Sequence, residues 1–157
     1  MSNTVSLREF SATILSKPYW MIKELIKYFD ISESSFNEYI NMVAEKFDNI
    51  GITLELIELN NKDYLVPLIE SETKKLSDLE LGLLIIFGLK VKIEGGFLTT
   101  DSSRIFYQNY FKEMNFLIIN NYILKKENFI LELTPIGALT IIPYLDDVGP
   151  LVEKLFK

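Results

Sequence analysis

The sequence predicts a mainly helical α+β chain built from two units of the same plan. Three observations carry this. Helical spacing of apolar residues gives way to strict alternation after Gly51, a similar change follows Asn120, and residues 70–75 between the halves hold no large apolar side chain. With 157 residues the chain has room for one mid-sized domain or two small ones.

In the first half, Leu7, Phe10, Ile14 and Leu15 share one side of a short helix that stops before Pro18. Residues 19–29 read as a second helix, with Met21, Leu25 and Phe29 on its stripe. A polar turn at 30–34 follows, and Ser35 with Glu38 offers a capping box for a third helix. Phe36, Ile40, Val43, Ala44 and Phe47 form its inward stripe. Ile52, Leu54 and Leu56 then alternate with Thr53 and Glu55. A turn at 60–63 leads into a return strand over 64–69.

The second half repeats the order. Ser77 and Glu80 cap a helix running to about Val91, apolar all round at 83–87. Gly95-Gly96 makes a turn, 97–99 a short strand, and Thr100 or Asp101 caps a helix through Tyr110. A third helix over 113–120 points Phe116, Leu117 and Ile119 inward. Residues 122–124 and 129–133 flank a turn of Lys125, Lys126, Glu127 and Asn128. Thr134 then caps a closing helix with Pro135 at its first position and Gly137 as a small residue for close approach. Three helices and a hairpin outline a winged helix. The expectation is therefore a tandem winged helix: residues 1–69, a linker at 70–76, and residues 77–157.

Composition narrows the chemistry. The chain has no Cys and no His, which excludes a thiolate nucleophile, an imidazole base, a Cys/His zinc site and a disulfide. Sixteen basic residues, of which Arg8 and Arg104 alone are Arg, stand against 22 acidic ones for a net charge of −6. That balance disfavours nucleic acid and anionic membrane as partners. The longest uncharged apolar run, 81–89, is too short for a span needing about 20 residues. The first ten residues carry Arg8 and Glu9 and no apolar run, so no secretory signal is read there, and an intracellular protein is expected.

Each candidate site has a plain reading beside it. The third helix of the first half carries Glu38, Glu45 and Asp48 against Lys46, which opposes phosphate contact. Arg104, Lys112, Lys125 and Lys126 are the candidate DNA contacts of the second half, or a solvated hairpin tip. The carboxylate pairs Asp146-Asp147 and Glu70/Glu72 read as solvated rather than catalytic, and no cofactor is implied. Gly95-Gly96 lacks the Gly-Lys-Ser/Thr of a phosphate cradle. Phe106, Tyr107, Tyr110 and Phe111 cover more than one helical face, so they either pack a core or form a partner groove.

Two stretches carry a family resemblance. The run from Gly51 to Tyr64 (GITLELIELNNKDY) and the run from Gly82 to Gly95 (GLLIIFGLKVKIEG) resemble the MAGE-homology domain. This is the tandem winged-helix fold of MAGE proteins and of the non-SMC element that binds kleisin. The layout is also similar to the bacterial kleisin-binding protein ScpB, and so to the kleisin-interacting tandem winged-helix (KITE) elements. The Leu-Leu pair with which MAGE proteins dock RING ligases falls near Ile14-Leu15 and is not Leu-Leu here.

The resemblance implies a non-catalytic scaffold that binds a kleisin-type partner in an SMC ATPase complex, in the cytoplasm, nucleoid or nucleus. It also implies a homodimer or a heterodimer with a related chain. Partner contacts are expected at Phe106, Tyr107, Tyr110, Phe111, Ile14 and Leu15. The alternative is a winged-helix transcription regulator that touches DNA through Arg104, Lys112, Lys125 and Lys126.

Overall fold

The computed structural model describes residues 5–69 and 76–155, with 146–155 as backbone alone. Residues 70–75 of the expected linker at 70–76, and the carboxylates of Glu70, Glu72, Asp146 and Asp147, lie outside what is described. The chain divides into two compact units, residues 1–74 and 75–157.

The first unit runs α1 (Leu7–Leu15), β1 (Trp20–Met21), α2 (Ile22–Phe29), α3 (Glu33–Asp48), β2 (Ile52–Leu59) and β3 (Lys62–Ile69). Its core is built on Phe10, fully buried, whose ring lies 5.1 Å from Phe29, 5.9 Å from Phe36 and 5.2 Å from Tyr39. The inward stripe of α3 is as expected at Phe36, Ile40, Val43 and Phe47.

Three details of the first unit differ from expectation. Residues 19–21 are not helical, because Trp20 and Met21 pair antiparallel with Leu65 and Tyr64, making a sheet of order β1-β3-β2. Burial of the indole, which donates to Thr13 O at 3.1 Å, outweighs helix propensity there. The cap of α3 is Ser32, whose hydroxyl accepts from Ser35 N, three residues earlier than the Ser35–Glu38 pair implies. The hairpin turn is two residues long. Asn60 and Asn61 both have positive φ, 53° and 64°, which suits a tight turn whose twist matches that of its strands. Lys62 and Asp63 therefore belong to the strand, opposite Leu59 and Glu58.

The second unit runs α4 (Asp78–Ile93), α5 (Thr100–Asn109), α6 (Phe111–Ile119), β4 (Ile123–Lys126), β5 (Ile130–Leu133) and α7 (Pro135–Leu155). The Ser77–Glu80 capping box forms, with both reciprocal bonds present. Leu83, Leu84, Phe87, Gly88 and Val91 are the buried face of α4. The short strand expected at 97–99 reduces to one bridge, Leu98 to Leu131, on the outside of the β4–β5 hairpin. This repeats the first unit, where β1 sits against the second strand of the wing. Leu65 and Leu131, the residues met by the short strand, are both fully buried.

Thr99, not Thr100 or Asp101, caps α5. The third helix starts at Phe111 and buries Met114 and Leu117. Ile119 lies two residues past Leu117, about 200° around the helix, and is 76% exposed rather than inward. Lys125 and Lys126 sit in β4, and the turn is the short 3₁₀ segment Glu127–Phe129.

Candidate protein-binding surface

One cluster in the second unit brings together two of the four candidate aromatics, Tyr107 and Phe111. Tyr107, on α5, meets Phe111 at the start of α6 edge to face, with ring centroids 5.0 Å apart. It meets Phe129, from the wing turn, in the same way at 5.1 Å. The ammonium of Lys125 lies 4.6 Å from the centre of Phe129 and 5.6 Å from that of Tyr107. The Tyr107 hydroxyl donates to Asn115 Oδ1 on α6, which ties the two helices together at the cluster.

The turn that delivers Phe129 is held in an uncommon backbone shape. Asn128 and Phe129 have φ of 60° and 59°, and a bulky side chain rarely adopts the left-handed region. The Thr100 hydroxyl donates to Asn128 O at 2.6 Å, pinning the turn to the start of α5. Phe129 itself is held by the edge-to-face contact with Tyr107 and the cation over its ring.

The sequence candidates divide by burial. Ile14 is fully buried in the first unit and Phe106 is buried against Phe87, 5.9 Å away, so both serve their cores. Leu15, Tyr110 and Phe111 are exposed, and Tyr107 is half-buried. The candidate cations are exposed too, yet two have other work. Lys126 pairs with Glu132 at 2.8 Å, and Lys125 lies over the aromatic rings. Arg104 stands on α5 and Lys112 on α6.

In a DNA-reading winged helix the third helix faces the major groove and its phosphates. Here the third helix of the second unit opens with Phe111, 58% exposed, and ends with the exposed Ile119. Both of these exposed end residues are apolar, and Lys112 is the helix's one cation.

No family model matches the chain, and no curated protein matches it. Among solved structures, a chain from an Nse1-Nse3-Nse4 complex is similar, with a TM-score of 0.55 at 8% identity, covering 94% of this chain and 76% of that one. The chain is a tandem winged-helix protein. At the level of the fold, the likeness agrees with the resemblance seen in the two sequence stretches.

In this tandem winged-helix protein, the residues that sequence reasoning missed are Phe129, Asn115 and Ile119. Phe129 reads as the opening of a strand, and only the Asn before it signals a left-handed turn. Ile119 is grouped with Leu117 in sequence, although residues two apart on a helix point to opposite sides.

The first unit has its own cleft, of about 520 Å³, between α2, α3 and the wing. Ile22, Ile26, Phe36, Ile40 and Leu56 are among its lining, and Lys23 and Asp63 also border it.

Among the described residues no helix is long and apolar enough to cross a membrane. Burial pushes the Tyr122 phenol above its ordinary value of 10.0, and the Glu80 carboxylate adds to the shift.

Proposed function

We propose that the chain is a non-catalytic scaffold that binds a kleisin-type partner within an SMC-like, intracellular chromosome-organising complex. The observation that carries this reading is the surface where α5, the start of α6 and the wing turn meet. Phe111, Tyr107 and Phe129 form an aromatic patch where a nucleic-acid reader presents cations. Aromatic anchors of this kind dominate the energetics of protein interfaces. The family resemblance supplies the partner class, and the solved structure with the same fold is a complex of several named subunits.

The mechanism is clamping. An apolar helix of the partner lies on Phe111 and Ile119, and an extended segment adds to β4, the edge of its two-stranded ladder. Four dispersed cations, one ion-paired and one over aromatic rings, leave DNA as a weak and salt-sensitive ligand.

The test uses the kleisin-type chain encoded in the same genome, titrated by anisotropy against the wild type and Phe111→Asp. The wild type is expected to bind and the variant to lose at least about tenfold, the cost of one good anchor. Duplex DNA is expected to bind no tighter than the non-specific range of roughly 10⁻⁴ to 10⁻⁶ M. Nanomolar, sequence-selective DNA binding without kleisin binding would overturn the proposal in favour of a regulator.

A further inference from the structure

The β2 strand of the first unit has a free edge. The sheet order is β1-β3-β2, so β2 pairs on one side alone. Pro67 faces Leu54 across the hairpin, and proline has no N–H to give, so theirs is a non-hydrogen-bonded pair of the ladder. By alternation Leu56 and Glu58 share that phase, and all three residues turn their N–H and C=O outward. Among the described residues, no hydrogen bond outside the ladder reaches 53–59. The strand runs eight residues in unbroken register with β3, and it holds none of the prolines, lysines or bulges that close an edge to pairing. Its only charges are Glu55 and Glu58.

Leu56 and Glu58 lie on the face of the wing that borders the first unit's cleft. Leu56, 58% exposed, lines that cleft, and so does Asp63. Asp63 stands directly opposite Glu58 in a non-hydrogen-bonded pair, where side chains come closest, and like charges so placed repel. Among the described residues none of Glu55, Glu58 and Asp63 has an ion pair. The cleft's two cations, Lys23 and Lys62, stand on α2 and β3 rather than on the edge strand.

We propose that the β2 edge takes up an extended segment of another protein whose side chains run basic–apolar–apolar–basic. Main-chain bonds to Leu54, Leu56 and Glu58 hold the segment as an added strand. Its two basic residues answer Glu58 and Glu55, three positions apart, and the first of them relieves the repulsion between Glu58 and Asp63. The apolar residue opposite Leu56 shares its face, the one that borders the cleft. This order reads the same in either strand direction. A second copy of β2 is a poor occupant, because the strand brings only carboxylates to meet carboxylates. The site belongs to the first unit and the Tyr107 cluster to the second, so this proposal and the kleisin reading can each fail alone.

The probe is a fluorescent peptide, TRVLRT, titrated by anisotropy against the full chain, with its same-composition scramble RRTVTL as the control. TRVLRT is expected to bind about tenfold more tightly than the scramble, and to slow amide exchange at Leu54, Leu56 and Glu58. Glu58→Lys sets an opposite charge against Asp63, so it should weaken the peptide about tenfold without lowering the urea midpoint read by Trp20 fluorescence. Leu56→Pro removes an edge N–H and no bond of the hairpin, and should abolish binding as well. Equal binding of the two peptides, or binding of neither, would overturn the proposal. So would unchanged exchange at the three edge amides, or a Glu58→Lys chain that binds TRVLRT as tightly as wild type.

Discussion

Replacing each of three helical or near-helical glycines by alanine gives very different consequences, although the chemistry is the same. At Gly137 a Cβ would lie 2.2 Å from Tyr122 O and 2.8 Å from Leu133 Cδ1. Ordinary contact begins near 3.4 Å, so α7 must retreat by about 1 Å from a backbone carbonyl that cannot rotate away. Overpacking of this kind costs about 1–3 kcal/mol. The retreat also strains the junction that Thr134 makes. Its hydroxyl donates to Asn121 O and accepts from Gly137 N at 3.0 Å, and its N–H donates to Tyr122 O at 3.3 Å. Losing one or two of these adds roughly 1–2 kcal/mol, and alanine's better helix propensity returns about 1. The expected net loss is about 1–4 kcal/mol. At Gly88 the Cβ would meet Ile141 Cδ1 at 2.3 Å, the far end of a flexible side chain, so the net change should be about 1 kcal/mol or less. At Gly82 nothing lies within 4 Å, and alanine should stabilise by about 0.5–1 kcal/mol. Urea unfolding followed by far-UV circular dichroism, at low protein concentration, ranks the three. A Gly137→Ala chain as stable as wild type, or a Gly82→Ala chain less stable than Gly137→Ala, would refute the reasoning.

Phe10→Ala should destabilise the first unit by about 3–5 kcal/mol, since it removes a fully buried ring that three other rings surround. Trp20, the chain's one tryptophan, lies in that unit, so its fluorescence reports the transition. An alkaline limb is expected as well. The Tyr122 phenol titrates higher folded than unfolded, so between 10.0 and the raised folded value the native state binds more protons. Stability is therefore unaffected below that window and falls as pH rises through it. Tyr122→Phe should shrink that fall, and an unchanged alkaline slope would count against the assignment.

The winged-helix plan was legible where two independent signals agreed. After Gly51 the alternation and the Asn-Asn pair both specify a hairpin, and at Ser77 the capping box and the apolar run both specify a helix start. Gly137 was legible as a site of close approach, because a small residue follows a cap and a proline. What failed was decided by tertiary pairing. Nothing local in Trp20 and Met21 distinguishes a helix start from a two-residue strand; the partner is β3, more than forty residues away. The candidate surface was half legible. The excess of aromatics at 106–111 is visible in sequence, but Phe106 and Tyr107 are adjacent and only the fold decides that one faces Phe87 and the other Phe129. Phe129 joins the cluster through a left-handed turn that its sequence barely marks.

The aromatic surface of the second unit is expected to engage a protein partner. Amide hydrogen exchange of the full chain, with and without the kleisin-type chain of the same genome, tests it most directly. Binding is expected to slow exchange in α6 and in the 127–129 turn, and Phe111→Asp to abolish the slowing there. Partner binding that leaves both segments unchanged, or protection of these segments by duplex DNA alone, would contradict it.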